Sequence, residues 1–250
     1  MSFQADLVPG PFPKKLSHSL AWRFARLLRA VAGDGRWTRI ILEASWVTRR
    51  LALEALARTD GEKFFEAAYP SLGFLKKNLL PTDRLLDLGC GSGRISRALA
   101  PLCHEVVAVD YDAGLLKQAA RLASSGNIRW IHADVGSGLS SEIAGPGFDW
   151  VVCSHVLEYL YWDQAARLLR ELAGLGSRIV VELPDFAADP LNEIRRCRGL
   201  TWVSDADHKQ EFAAEILADL LQENGWNVKS LSGRSGNLLA VAVSQKRVPV

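Results

Sequence analysis

The sequence is poor in the features that mark secreted, membrane-spanning and metal-stabilised proteins. Its four cysteines lie far apart and form no CxxC pair, which argues against a disulfide framework and against a structural zinc site. No run approaches the roughly 18 apolar residues that a membrane-spanning helix needs. The first residues also lack a basic start followed by an apolar stretch. We therefore expect no secretory signal, and the cytoplasm as the compartment.

An excess of one charge is also lacking overall, but the two signs are unevenly distributed. The 250 residues carry a formal net charge of +2, and 48% of them are hydrophobic, as in soluble globular proteins. Residues 1–80 hold 13 Lys/Arg against 7 Asp/Glu, a net +6, whereas residues 81–250 hold 17 against 21, a net −4. This split predicts a basic extension followed by an acidic domain.

Helical spacing dominates the first 80 residues, and short apolar runs alternate with helical segments after Pro81. Strands are predicted over residues 84–88, 105–109, 127–132, 148–154, 177–183, 226–231 and 238–243. Helices are predicted from residue 19, over 37–58 and 62–80, and then over 95–102, 112–123, 163–172 and 211–224. Residues 1–14 and 184–210 are expected to be irregular. Strands that alternate with helices predict an α/β fold with a largely parallel sheet covered on both faces.

The most specific motif is a glycine-rich turn, LLDLGCGSG, at residues 85–93. Glycines at the end of a strand let the backbone turn tightly and approach a ligand. A dinucleotide fingerprint would place its third glycine where Arg94 stands, and the lysine of a phosphate-binding P-loop is missing. Asp87 would repel a pyrophosphate but accept a hydrogen bond from an ammonium group. The turn therefore favours a ligand with a cationic amino-acid end.

Two further aspartates follow the next two predicted strands. Asp110 ends the second strand, 21 residues after Gly89, where a carboxylate accepts the hydroxyl groups of a ribose. Asp134 follows the third strand, where it could meet an adenine edge. Each aspartate alone is equally well interpreted as a cap that starts a loop. Together, beside the glycine-rich turn, they favour a nucleoside-containing ligand.

With these motifs the sequence resembles the class I S-adenosylmethionine-dependent methyltransferases. The motifs are LLDLGCGSG (85–93), VVAVDYD (106–112), IHADV (131–135) and FDWVVCSHVLEYL (148–160), and the resemblance covers roughly residues 70–250. It implies a Rossmann-like sheet of seven strands, mostly parallel with the last one antiparallel, and an N-terminal helical extension outside it. It also implies S-adenosylmethionine as the cofactor.

The resemblance assigns the cofactor-binding residues as well. They are Asp87, Gly89, Cys90, Gly91, Gly93, Asp110, Tyr111, Asp134, Val135 and Ser154. By this resemblance the aspartate and the glycines would surround the methionine part of the cofactor, and Asp110 would bind the ribose. Tyr111 would flank the adenine, and Asp134 would face its amino group. Many relatives have a second histidine where this chain has Tyr159, so no role is transferred to that position.

Two histidines are candidates for a general base, which a hydroxyl acceptor would need. His208 lies between an irregular segment and a helix, near Asp205 and Asp207, either of which could orient it. His155 follows the fourth strand, on the rim of the expected cleft. We predict both as catalytic, with His208 as the base. The alternatives are a capping or surface role for His208 and a structural role for His155. Asp185 has no second carboxylate at a suitable spacing, so no metal is predicted.

The sequence thus predicts a basic helical extension or lid (1–80) and a methyltransferase domain (81–250) with an acceptor-binding insertion (184–210). We predict methyl transfer to a small-molecule or glycan-type acceptor, with oxygen as the target atom. The alternatives are an RNA methyltransferase that holds RNA with the basic extension, and a non-catalytic cofactor-binding partner protein.

Smaller features leave further alternatives open. Residues 12–50 hold nine Lys/Arg and two acidic residues with three interleaved tryptophans. They could form a lid, contact an anionic membrane at its inner face through residues 15–50, or bind RNA, the last being less favoured because no RNA-binding motif is present. An aromatic, Tyr69 or Phe64, could close over the cofactor, and three arginines within residues 195–198 could recognise an anionic acceptor group.

Overall fold

Seven strands form one sheet, one strand at each place where the sequence predicts it. They are β1 (Arg84–Leu88), β2 (Glu105–Asp110), β3 (Ile128–His132), β4 (Phe148–Ser154), β5 (Gly176–Pro184), β6 (Trp226–Arg234) and β7 (Asn237–Ser244). Their order is β3-β2-β1-β4-β5-β7-β6. Strand β7 pairs antiparallel with β5 and β6, and the other pairs are parallel. The predicted Rossmann-like sheet with an antiparallel last strand is confirmed.

The computed structural model describes residues 27–59, 69–143, 147–189, 191–200, 207–234 and 236–246. Its α-helices are α1 (Asp34–Thr59), α2 (Pro70–Asn78), α3 (Arg94–Leu99), α4 (Ala113–Leu122), α5 (Trp162–Leu175), α6 (Leu191–Cys197) and α7 (Ala214–Glu223). The irregular structure predicted for 184–210 is wrong where α6 forms. A carboxylate starts this helix, because Asp189 accepts a hydrogen bond from the Leu191 amide and another from Arg195.

Alternation of side chains along the central strands builds a core on each face of the sheet. Leu86, Leu88 and Val107 are buried in one cluster, while Leu85 and Val106 are buried in the other. Helix α5 contributes its buried face to the first cluster. The sheet is therefore covered on both sides, and the carboxyl ends of its parallel strands are held in place as a rigid edge.

Most of the described residues of the N-terminal extension are helical. Residues 27–32 are helical, the chain turns at Gly33 with φ = 74°, and α1 follows. Helix α1 touches the domain where the Arg195 guanidinium of α6 donates to Ser45 Oγ at 2.6 Å, next to the buried Leu42. The arm predicted at 1–14, the start of the helix at residue 19 and the stretch 60–68 lie outside the described residues. Within the described part, no helix is both long and apolar enough to span a bilayer.

Candidate active site

A half-open cleft of about 190 Å³ lies at the carboxyl ends of β1 and β4. Six of the residues that line it are site residues predicted from the sequence: Asp87, Gly89, Cys90, Gly91, Ser154 and His155. The other four are Tyr69, Ser92, Arg94 and Ile95. Carboxyl ends of parallel strands are where ligands bind in open α/β sheets. The cleft is therefore the candidate site, and Tyr69 is the aromatic that reaches it; Phe64 lies outside the described residues.

The glycine-rich turn forms the wall of the cleft next to β1. Gly91 has φ = 52°, and a Cβ built on it would meet nothing within 4 Å, so its position opens onto free space. Gly93 has φ = 70° and directly precedes α3; a Cβ there would lie 2.5 Å from the Trp130 ring. Only glycine combines such backbone angles with such close packing. The turn thus presents bare backbone to a ligand at Gly91.

Asp87 brings a buried carboxylate to the floor of the cleft. Its side chain is 1% exposed and accepts a hydrogen bond from the Ser96 hydroxyl of α3. Burial raises the pKa of Asp87 to about 7, against the lowering effect of the Ser96 hydrogen bond, and the nearby charge of Asp110 adds to the rise. A cation bound in the cleft would stabilise the ionised carboxylate and so offset the free-energy cost of burying its charge. The site is therefore suited to a cationic group.

Cys90 lines the cleft without being a nucleophile. Burial, followed by the charges of Asp87 and Asp110, raises the pKa of its thiol far above the ordinary value, so the thiol stays protonated. Cys90 therefore behaves as a small apolar wall.

The described residues contain no group of three or more His, Cys, Asp or Glu side chains arranged to hold a metal ion. The Asp185 carboxylate accepts from the Ala187 amide.

Asp110 ties the end of β2 to the glycine-rich turn. Its Oδ2 accepts from the Gly91 amide at 2.7 Å, and its Oδ1 accepts from the Asp112 amide at 2.8 Å. The neighbouring Tyr111 is 74% exposed. Each carboxylate oxygen accepts more than one hydrogen bond, so ligand hydroxyl groups can still be accepted. Asp110 is thus placed to hold the turn and a ligand at the same edge.

Asp134 lies farther along the same edge, two residues after β3. It is exposed, and it caps the 3₁₀ turn Val135–Ser137 by accepting from the Gly136 amide and from the Ser137 hydroxyl, both at 2.8 Å. Val135 itself is buried in the core. The capping role foreseen as the alternative for this aspartate is therefore present. Asp110, Tyr111, Asp134 and Val135 are not among the residues that line the cleft.

His155 stands at the end of β4 in an unusual backbone conformation. Its φ is +55°, in the left-handed region, and its amide donates to the Glu182 carbonyl at 2.7 Å. Left-handed non-glycine residues are uncommon and concentrate at functional sites. The ring meets the edge of Tyr69, with centroids 5.4 Å apart, and 28% of the side chain is exposed. The fold therefore holds this imidazole at the cleft.

Two buried glutamates face the His155 ring. Nδ1 lies 3.0 Å from Glu158 Oε1, and Nε2 lies 3.8 Å from Glu182 Oε1. Burial by itself lowers the pKa of His155, but the hydrogen bond to Glu158 and the charges of both glutamates outweigh it, so the pKa is raised above the ordinary value. The pKa of Glu182 is also raised, chiefly by burial. The arrangement favours a basic imidazole with a fixed orientation.

His208 occupies a different environment. Its Nδ1 lies 2.8 Å from Glu211 Oε1, only 3% of its side chain is exposed, and its ring packs edge-on against Tyr159. It is not among the residues that line the cleft. The next residue, Lys209, donates its amide to the Glu158 carbonyl at 2.8 Å. His208 thus lies behind the turn that carries Glu158; Asp205 lies outside the described residues.

Known proteins are similar to this chain in sequence and in fold. A family model described as a methyltransferase domain matches residues 85–175, from β1 through α5. An uncharacterized methyltransferase of Mycobacterium tuberculosis is 36% identical over 96 residues, which are 38% of this chain and 46% of that protein. Over these residues the chain matches a methyltransferase domain, in agreement with the resemblance of its sequence to the class I S-adenosylmethionine-dependent methyltransferases. The cofactor of such a domain is S-adenosylmethionine.

One further relative and one solved structure cover more of the chain. The mitochondrial ubiquinone biosynthesis O-methyltransferase of Schizosaccharomyces pombe is 34% identical over 171 residues, 64% of this chain and 61% of that protein. The magnesium protoporphyrin IX methyltransferase of Synechocystis, solved with bound S-adenosylhomocysteine, superposes with a TM-score of 0.60 at 17% identity, covering 84% of this chain and 100% of that chain. The second likeness establishes the fold. The chain spans about half the length of the first curated relatives that it matches.

The cleft fits the methyltransferase cofactor on its own geometry. Open space at Gly91 leaves room for a ligand against bare backbone, and buried Asp87 is suited to an ammonium group. The Ser154 hydroxyl lines the cleft and is buried, yet it has no hydrogen-bond partner among the described residues. Buried polar atoms without partners are rare unless a ligand or water satisfies them. The methionine end of the cofactor is the group that these residues suit.

Sequence reasoning missed the two glutamates that face His155. Glu158 follows it by three residues, and Glu182 interrupts the apolar run of β5, where it is fully buried and accepts from the Ser71 amide and from Asn237. A carboxylate inside a predicted buried strand is a usable signal, because an ionisable group is rarely buried without a partner. That signal was present in the sequence.

Proposed function

We propose that this chain transfers a methyl group from S-adenosylmethionine to an oxygen of a small-molecule acceptor, with His155 as the general base. The observation that supports it most is the placement of one imidazole. His155 lines the cleft, and its Nδ1 lies 3.0 Å from Glu158 Oε1. A nucleophile that must lose a proton benefits from a positioned base, which contributes roughly 10²–10⁴-fold to such reactions.

The cofactor, when bound, would supply a methyl group on a cationic sulfonium; a nucleophile in line with the C–S bond would take the methyl group, and the sulfur would leave as a neutral thioether. The residues proposed to hold its methionine part are Asp87, Gly89, Cys90, Gly91, Gly93 and Ser154. Asp110 is proposed to accept from the ribose hydroxyl groups. Tyr111, Asp134 and Val135 are proposed to serve the adenine end, since they follow β2 and β3 along the same edge. Much of the acceleration comes from holding acceptor and methyl aligned.

His155 acts on the acceptor. With a proton on Nδ1 that is donated to Glu158, the neutral ring keeps its lone pair on Nε2. Nε2 would accept the proton of the acceptor hydroxyl, which makes the oxygen a better nucleophile. The imidazolium that results is stabilised by Glu158 and by Glu182, whose Oε1 lies 3.8 Å from Nε2. The two glutamates therefore strengthen the base.

Oxygen is the proposed target atom on two grounds. An imidazole whose pKa is raised is matched to a hydroxyl acceptor, and the Schizosaccharomyces pombe relative is an O-methyltransferase by name. A glycan-type acceptor presents hydroxyl groups as well. Methylation of RNA and a purely cofactor-binding role are the competing outcomes of the test below.

The test uses the full chain in two steps. Calorimetric titration with S-adenosylhomocysteine should show binding that weakens about 10- to 100-fold in Asp87→Asn, because a charge-assisted hydrogen bond to the ammonium is lost. Asp219→Asn, an exposed aspartate on α7, is the matched control and should bind as the wild type does.

In the second step, matched phenols, sugars and amines and a ribosomal RNA preparation are incubated with S-adenosylmethionine, and S-adenosylhomocysteine is quantified by mass spectrometry. Turnover with hydroxyl compounds supports the proposal. Turnover restricted to amines or to RNA contradicts O-methylation, and tight cofactor binding without turnover on any acceptor supports the non-catalytic alternative.

A further inference from the structure

Helix α1 presents an apolar stripe to solvent. Ile40, Val47 and Leu51 are 51%, 46% and 58% exposed. Their spacing of seven and four residues places them along one line of an α-helix, as 100° per residue requires. Ala44, between them on the same line, is also exposed. The stripe is therefore continuous along about three turns of the helix.

The opposite face of α1 is the one that packs against the domain. Leu42 is buried, and Ser45 accepts a hydrogen bond from the buried Arg195 of α6 at 2.6 Å. At 100° per residue, the centre of the apolar stripe lies about 160° around the helix from Leu42. Helix α1 is consequently apolar on the side that points away from its own domain, which is the reverse of an ordinary surface helix.

The preceding helical segment, residues 27–32, has exposed apolar side chains of its own. Leu27 and Val31 lie one turn apart and are 62% and 80% exposed. Exposed apolar side chains that occur singly are normal on protein surfaces, but a contiguous set marks a binding surface. We call Ile40, Val47 and Leu51 of α1 the apolar stripe.

Positive charge accompanies the apolar stripe. Arg36 and Arg39 are exposed on α1, about 40° and 100° around the helix from the centre of the stripe. Residues 12–50 hold nine Lys/Arg against two acidic residues. Two copies of such a helix would repel each other along their length, whereas an anionic surface would be attracted. The charge therefore selects an anionic occupant over a second copy of the chain.

We infer that the apolar stripe and its flanking arginines form a docking surface for an anionic lipid bilayer, with α1 lying in the plane of the interface. A helix of this kind inserts its apolar side chains below the headgroups while its cationic side chains pair with the lipid phosphates. The opposite face stays on the domain through Leu42 and the hydrogen bond between Ser45 and Arg195. The inference is independent of the proposed methyl transfer.

Vesicle flotation with the full chain tests this inference. One set of vesicles is phosphatidylcholine alone, and the other contains about a third phosphatidylglycerol. The wild-type chain should float with the anionic vesicles and should not float when it is mixed with the neutral ones. The triple variant Ile40→Gln/Val47→Gln/Leu51→Gln should bind at least about tenfold more weakly, because three apolar side chains no longer leave water.

A matched control makes the same chemical change elsewhere. Leu115, Leu122 and Ile216 are exposed apolar residues on α4 and α7, and their triple replacement by glutamine should leave flotation within about twofold of the wild type. Replacing Arg36 and Arg39 by glutamine should weaken binding by about fivefold for each charge at low salt. Circular dichroism and S-adenosylhomocysteine titration check that each variant is folded.

Three results would overturn the inference. The first is a wild-type chain that does not float with anionic vesicles, and the second is a stripe variant that floats as well as the wild type. The third is a wild-type chain that binds no vesicles but forms a dimer in sedimentation, with the dimer lost in the stripe variant. That result would make the stripe an interface between two copies of the chain.

Discussion

The two histidine–glutamate pairs of this chain share a local pattern and differ in almost everything else. In each pair Nδ1 contacts a glutamate three residues later in the chain, at 3.0 Å for His155–Glu158 and 2.8 Å for His208–Glu211. The first pair follows the end of β4, and its imidazole lines the cleft and is 28% exposed. The second is buried to 3% and packs on Tyr159. The same spacing therefore places one imidazole at the cleft and packs the other away from it.

The surroundings of the rings explain the difference. His155 is left-handed in its backbone, so its side chain is directed into the cleft, and a second glutamate, Glu182, faces Nε2. His208 lies on a segment whose backbone amides are tied to the Glu158 carbonyl. We interpret the second pair as a support for the turn that holds the first.

The largest expected effect comes from replacing His155 by asparagine. Asparagine tolerates a left-handed backbone and can still donate to Glu158, but it cannot accept the acceptor's proton. We expect kcat to fall about 10²–10⁴-fold while affinity for S-adenosylhomocysteine stays within about threefold. Stopped-time assays and calorimetry measure the two quantities. A kcat within a factor of about three of wild type would remove the distinction between the two pairs.

The next effect comes from Glu158→Gln, which keeps an acceptor for Nδ1 but removes its charge. Two carboxylates hold the pKa of His155 above the ordinary value, and the base works only when neutral, so kcat falls as the pH is lowered through that pKa. Losing one charge lowers the pKa, and the fall should then begin at a lower pH. We call this fall of kcat at low pH the acid limb. At pH values above the acid limb we also expect kcat to drop about tenfold, since the imidazolium is less stabilised. Glu211→Gln is the matched control and should leave the limb in place.

A smaller effect is expected for Glu182→Gln. Glu182 is 3.8 Å from Nε2, farther than Glu158 is from Nδ1, so its contribution to the pKa of His155 is weaker. The acid limb should move in the same direction as in Glu158→Gln but by less, with kcat lowered about threefold. A larger shift than that of Glu158→Gln, in the same pH titration, would reverse the assigned order of the two glutamates.

The smallest effect on catalysis is expected for His208→Asn. The imidazole does not line the cleft, so kcat should stay within about twofold of wild type. The loss of a buried hydrogen-bonded pair and of ring packing should reduce the free energy of unfolding by about 1–3 kcal/mol. Denaturant titration measures this, with Asp207→Asn, an exposed neighbour, as control. A hundredfold loss of kcat in a folded protein would make His208 the base, as first predicted from the sequence.

The sheet could be predicted from the sequence because its strands are short apolar runs bounded by turns. Strands β1 and β4 begin and end at the predicted residues. The glycine-rich turn could be predicted because only glycine suits the backbone at Gly91 and Gly93. Helix α6 was not predicted, because its start depends on a capping contact from Asp189 and not on a periodic pattern of apolar residues.

The sequence also did not show which of the two histidines lines the cleft. Both are followed by a glutamate three residues on, and nothing in the sequence tells which ring reaches the cleft. The backbone conformation of His155 and the long-range approach of Glu182 decide it, and these depend on the pairing of β4 with β5. Contacts between distant residues are what local sequence patterns cannot supply.

The pH dependence of kcat in the wild-type chain and in His155→Asn tests the central claim most directly. The account predicts that the wild-type rate falls at low pH through a single protonation whose apparent pKa is higher than that of an ordinary histidine. It also predicts that the residual rate of His155→Asn shows no such fall. The same acid limb in both proteins would show that another group is the base, and would contradict the account.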